Sequence, residues 1–168
     1  MKRIAFYVIV ALQVLFLAGM SASYYAMDTF GETIHLKTAP VDPTDLFYGD
    51  YVILNYEIEE ITEEKWSGEE PSHGEKVYVL LAEAEEGVYE VKKASTEKLE
   101  AGKGEVVLKG KHQWTDMSSS LHRISYGINR YYVEENTGRK YEQNQGGMIV
   151  EVVVAPWGQK KIVAINES

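Results

Sequence analysis

The sequence predicts a mainly β domain, folded as an antiparallel barrel or sandwich and preceded by one N-terminal transmembrane helix. Three observations predict it. An uncharged apolar run follows two basic residues at the N-terminus. Beyond it, apolar side chains recur with a period of two, the pattern of half-buried strands. Turn-forming residues separate these rows at short intervals.

The apolar run extends from Ile4 to Ala26, with Gln13 its only strongly polar side chain. As a helix it would be about 35 Å long, enough to cross a hydrocarbon core of about 30 Å. Tyr24 and Tyr25 fall where an outer aromatic belt would lie. Lys2 and Arg3 set the orientation by the positive-inside rule, with the N-terminus cytoplasmic and the remainder outside the cell membrane. A cleaved signal peptide is the competing reading, since Ser21, Ala22 and Ser23 are small. Its apolar stretch, Ile4 to Met20, is longer than most signal cores. Both readings export the domain. The division expected is residues 1–27 as anchor and 28–168 as an extracytoplasmic β-rich domain.

Some 140 residues remain after the anchor, enough for a core without staples. The chain has no cysteine, which excludes disulfides, thiol catalysis and a lipidated N-terminal cysteine. From Asp28 onward it carries 15 basic and 26 acidic side chains, a net charge of −11. That field repels nucleic acid and anionic head groups, so no nucleic-acid partner is expected. It fits a solvated surface or a face for a basic partner.

Within the domain, Val52, Leu54, Tyr56 and Ile58 alternate with more polar neighbours as one strand. Val77, Val79 and Leu81 form another, and Val106, Leu108, His112 and Trp114 a third, with Gly110 a bulge or bend. Met148 to Val154 and Lys160 to Ile165 frame Ala155-Pro156-Trp157-Gly158-Gln159 as a hairpin turn. Glu85-Glu86-Gly87 marks a turn between Val77–Ala82 and Val88–Lys92. Ile61 to Gly74 reads as a polar surface loop, Thr115 to Ser120 as a flexible one, and Glu134 to Gln145 as room for one short helix. About eight short strands result.

Two blocks carry more information. Gly49-Asp50-Tyr51-Val52-Ile53-Leu54-Asn55-Tyr56 fits GDYxxLxY at every specified position. Tyr126-Gly127-Ile128-Asn129-Arg130-Tyr131-Tyr132-Val133-Glu134 is close to YGIxRYfVpE, with proline absent and Glu135 in the final place. In these blocks, and in its apolar start and Val-rich final hairpin, the chain resembles the GDYXXLXY family of bacterial membrane-anchored proteins. The resemblance spans nearly the whole chain. It implies no established activity. Members tend to be encoded beside multi-spanning membrane proteins, which implies such a partner.

The blocks also have a physical reading. Asp42-Pro43-Thr44-Asp45 starts a turn, Gly49 supplies a positive φ and Asp50 accepts backbone N–H bonds. Leu54 and Tyr56 share one strand face and Tyr51 takes the other. The motif then sets a turn and pins register, or Asp50 and Tyr51 line a recognition surface. Tyr126, Arg130, Tyr131 and Tyr132 have interface chemistry and equally suit an ordinary sheet.

The anchor, turn and Gly-Asp-Tyr-Val order faintly resembles signal peptidases, which need a serine just before that Gly-Asp. This chain has only Thr44 there and no serine between Asp28 and Gly49, so a Ser–Lys dyad lacks its nucleophile. Glu59/Glu60 and Glu69/Glu70 read as solvated acidic runs rather than glycosidase pairs. His35, His73, His112 and His122 are not at metal-motif spacing. His112 and His122 could face each other across the Thr115–Ser120 turn, with Asp116 nearby, as half-exposed strand residues. No phosphate loop or nucleotide fingerprint occurs, so no cofactor or metal is expected. The leading expectation is an anchored interaction module for a multi-spanning partner, with the bilayer met through residues 4–26. An envelope hydrolase and a small-ligand carrier with a tyrosine-lined mouth are the alternatives.

Overall fold

The computed structural model describes residues 2–39, 51–84, 87–116, 118–132 and 147–166. It is mainly β, with one long apolar helix and a nearly closed, barrel-like sheet. Helix α1 (Lys2–Phe30) is followed by β1 (Glu32–Lys37), β2 (Tyr51–Ile53), β3 (Glu60–Thr62), β4 (Trp66–Ser67), β5 (Lys76–Glu83), β6 (Tyr89–Ser95), β7 (Glu105–Asp116), β8 (Leu121–Ser125), β9 (Arg130–Tyr132), β10 (Ile149–Val154) and β11 (Lys160–Asn166). The ladders run β1-β10-β11, β2-β9 and β3-β8-β7-β5-β6-β4. Every pair is antiparallel except β4 with β6. A parallel bridge from His35 to Val88 and an antiparallel one from Thr38 to Tyr56 stitch the ladders together.

The inward row of each strand meets in one core. Ile34 and Leu36 of β1, Val77, Val79 and Leu81 of β5, Val106 and Leu108 of β7, and Val150, Val152 and Val154 of β10 are all buried in it. Period-two alternation is the cause: one face of each strand is apolar, and only closure hides all of them at once.

Two expectations change in β7. Gly110 does not bulge; it stays in register opposite Val77. A Cβ there would lie 2.5 Å from Ile124 Cγ2 and 3.2 Å from the Tyr126 ring, so glycine is needed for packing. The bulge falls between His112 and Trp114 instead. His112 stays on the buried row with Val106 and Leu108, and the shift beyond it leaves Trp114 exposed. The stretch 61–74 is likewise not all loop. Ile61 is fully buried and faces His122 across β3–β8, and Trp66 pairs in parallel with Ala94. The alternation of Leu54, Tyr56 and Ile58 holds as burial, but a one-turn 3-10 helix at Glu57–Glu59 ends the strand early. The expected short helix at Glu134 to Gln145 lies outside the described residues, as do Glu85 and Glu86 of the predicted turn.

The hairpin of β10 and β11 is as expected. Ala155 N–H donates to Gln159 O at 2.8 Å, and Gly158 takes a φ of +94°. This hairpin also receives the end of α1, a helix long and apolar enough to cross a membrane. Met27 is buried against Val153 and Ala155. Ser23 Oγ donates to Gln159 Oε1 at 2.6 Å, Lys161 pairs with Asp28, and the Lys161 ammonium sits 4.6 Å from the Tyr24 ring centre. Gly31 then separates α1 from β1 without a linker. A Cβ on Gly31 would lie 2.4 Å from both Met27 O and Val153 Cγ1, so only glycine allows this approach.

Candidate functional site

The two sequence blocks are partners in space. Strand β2 pairs with β9 so that Tyr51 faces Tyr132, Val52 faces Tyr131 and Ile53 faces Arg130. Leu54 N–H extends the pairing to Asn129 O at 2.9 Å. The tyrosines then cross over. Tyr56 Oη donates to Ile128 O at 2.8 Å, and Tyr126 Oη donates to Ile58 O at 2.8 Å. Tyr56 thus lends a buried hydroxyl to the second block's backbone, and Tyr126 lends one to Ile58, two residues past the first block, a reciprocal latch across the seam. Burial, and secondarily the Glu59 carboxylate, holds both hydroxyls well above the ordinary tyrosine range.

The predicted site residues therefore divide. Leu54, Tyr56 and Tyr126 are buried, and Tyr131 packs on the core half-buried. They serve the seam. Arg130 is exposed beside Ile53 and Tyr132, which are 40% and 72% exposed, and these three form the outward side of the ribbon. Gly49 and Asp50 lie outside the described residues, and of Tyr51 only the backbone pairing is described.

A second polar cluster was only half visible in the sequence. His112 and His122 do approach, with ring centres 5.9 Å apart, but they are buried rather than half-exposed. Thr115, not Asp116, joins them. His112 Nδ1 meets Ser72 O at 3.2 Å and His112 Nε2 meets Thr115 Oγ1 at 2.9 Å. Thr115 Oγ1 meets His122 Nδ1 at 3.1 Å, and His122 Nε2 meets Glu63 Oε2 at 3.0 Å. Trp66 stacks on His122 at 4.5 Å. Both ends of this chain are acceptors. Its four contacts need four hydrogens, while Thr115 and two neutral imidazoles supply three. Closing all four takes one further proton.

Asp116 is occupied elsewhere. Its carboxylate accepts from the Ser118 and Ser119 hydroxyls, which order the turn that the sequence suggested was flexible and hold Asp116 low, at about 2. Beside His122, Arg123 bridges Glu59 at 2.9 Å and Glu60 at 2.7 Å. Burial outweighs the Arg123 attraction and lifts the Glu59 carboxyl to about 7. Glu63 and Trp66 were missed because they lie in a run of glutamates. The lone tryptophan in that run was the available signal.

Among the described residues, no group of three or more His, Asp or Glu side chains is placed to hold a metal. Thr115 stands between the imidazoles, so they do not converge on a common point.

The family model for the GDYXXLXY protein matches residues 13–165, almost the whole chain, including both blocks and the hairpin that receives α1. The chain belongs to the GDYXXLXY family. No curated protein and no solved structure matches this GDYXXLXY protein.

Proposed function

We propose that this GDYXXLXY protein is a non-enzymatic interaction module, anchored by α1 and facing outward from the cell membrane, that binds a multi-spanning protein in the same bilayer. The observation that carries the reading is the junction. The helix runs without a break to Phe30, and Met27 in its last turn is buried against Val153 and Ala155. A domain held in one pose at the bilayer can address only partners beside it. The ribbon side with Ile53, Arg130 and Tyr132 has the aromatic, aliphatic and guanidinium chemistry that interfaces favour. Lys2 and Arg3 before the span support a cytoplasmic N-terminus.

The test is recovery of the full-length chain from mild detergent after photocrosslinking from position 53 or 132. A multi-spanning protein crosslinked at these positions and lost on Arg130→Glu is the expected result. Repeated recovery of the bait alone removes the reading.

A further inference from the structure

The helix–hairpin contact fixes where the hairpin turn stands relative to the apolar span. Ile4 to Ser23 is 20 residues, which as a helix covers about 30 Å, the thickness of a hydrocarbon core. Ser23 therefore marks the outer edge of that core, and Ser23 is bonded to Gln159. Val153 and Ala155 pack at Met27, one helical turn farther out. The turn at residues 156–158 falls in sequence between Ala155, packed at Met27, and Gln159, whose side chain reaches Ser23.

The chemistry of the turn suits that depth. Pro156 is exposed, and Trp157 is 43% exposed. The indole N–H donates to Gln159 Oε1 at 2.6 Å, the same oxygen that Ser23 uses. With its N–H satisfied within the protein, the ring offers an amphipathic face suited to the head-group region. Tyr24 and Tyr25 follow Ser23 on the helix, both largely exposed. Residues 155–161 carry two lysines and no acid in a domain of net charge −11, and Lys109 adds a third, its ammonium donating to Trp157 O at 3.4 Å. Lys161 is paired with Asp28 and Lys160 is half-buried, which leaves Lys109 as the exposed ammonium beside the turn.

We propose that the β10–β11 turn is a second membrane contact, with Pro156 and Trp157 seated among the lipid head groups of the bilayer that α1 crosses. The proposal rests on the anchor reading. Its partner is the lipid surface itself.

The test uses the full-length chain in phosphatidylcholine vesicles. Because the chain has no cysteine, Pro156→Cys, Ser119→Cys and Gly19→Cys each give one site for a fluorescent label. Ser119 is the water-exposed reference. Strand β7 carries the chain about 23 Å from Lys109, beside Trp157, to Asp116, next to that turn. Unchanged thermal melting of each variant establishes folding. A head-group nitroxide lipid is expected to quench position 156 at least three-fold more than position 119, and a deep acyl-chain nitroxide to quench position 19. Quenching at 19 with position 156 behaving as position 119 overturns the proposal and leaves the anchor standing. Absence of lipid quenching at 19 overturns the anchor reading, and the proposal with it.

Discussion

Removing the Tyr56 hydroxyl, or that of Tyr126, tests the seam directly. Tyr56→Phe leaves the ring in place and deprives Ile128 O of its donor; Tyr126→Phe does the same to Ile58 O. A buried acceptor left without its partner costs about 1–3 kcal/mol. For a domain of this size each kcal/mol moves the melting temperature by about 3–4 °C, so each variant should melt about 3–12 °C lower. Both bonds tie the same two segments, so their losses should overlap, with a coupling of about 0.5 kcal/mol or more in a double-mutant cycle. Alkaline pH gives a second readout. Burial raises both hydroxyls in the folded chain, so the unfolded chain loses these protons first, near pH 10. Stability should be unaffected below that point and fall above it by about 1.4 kcal/mol per pH unit for each tyrosine. The double Phe variant should lack that increment. Thermal melting of the full chain in detergent, at pH 7.5 and across pH 9–11, measures both effects. Single variants melting within 1 °C of the parent, with no change above pH 10, would refute the latch.

Three further outcomes are expected. Glu59→Gln should flatten the pH dependence of stability between about pH 4.5 and 7. Its carboxyl is raised by burial, so Glu59 contributes on the order of 2–3 kcal/mol below pH 4.5 that is lost as the unfolded chain's carboxyl ionises between pH 4.5 and about 7; identical slopes in urea titrations count against that assignment. Thr115→Val removes the link between His112 and His122 and should cost about 2–4 kcal/mol, while Thr115→Ser should keep most of the stability; equal melts for the two variants argue against the chain of contacts. Gly31→Ala forces Met27 O or Val153 to move. Amide exchange around Val153 and Ala155 should accelerate about ten-fold, and parental exchange there would mean the junction is not tight.

The strands readable in the sequence are those long enough to repeat a period-two pattern several times: β5, β7 and the β10–β11 hairpin. Strands β3 and β4 are two or three residues each within an acidic stretch. Neither can show a period, and only Ile61 and Trp66 hinted at burial. The bulge at Gln113 was misplaced to Gly110 because glycine signals a missing side chain, and here that space is filled by Ile124 and Tyr126. The site was partly legible in the same sense. Both tyrosine blocks stood out by residue type. Their pairing depends on a register between segments about 70 positions apart, which neither segment specifies alone. The histidine pair was anticipated, but its link through Thr115 needs the bulge after His112, which sets Thr115 opposite His122.

The buried contact of Met27 with Val153 and Ala155 sets a rotational phase as well as a distance. An α-helix advances about 100° per residue, so the direction in which the ribbon faces is locked to one stripe of the α1 surface. A partner that touches that stripe would meet the same side of the domain. Helix and domain thereby form one continuous profile. A single residue inserted into α1 ahead of the docked turn would rotate the stripe by about 100° against the domain while leaving both parts folded, so a partner could no longer match both.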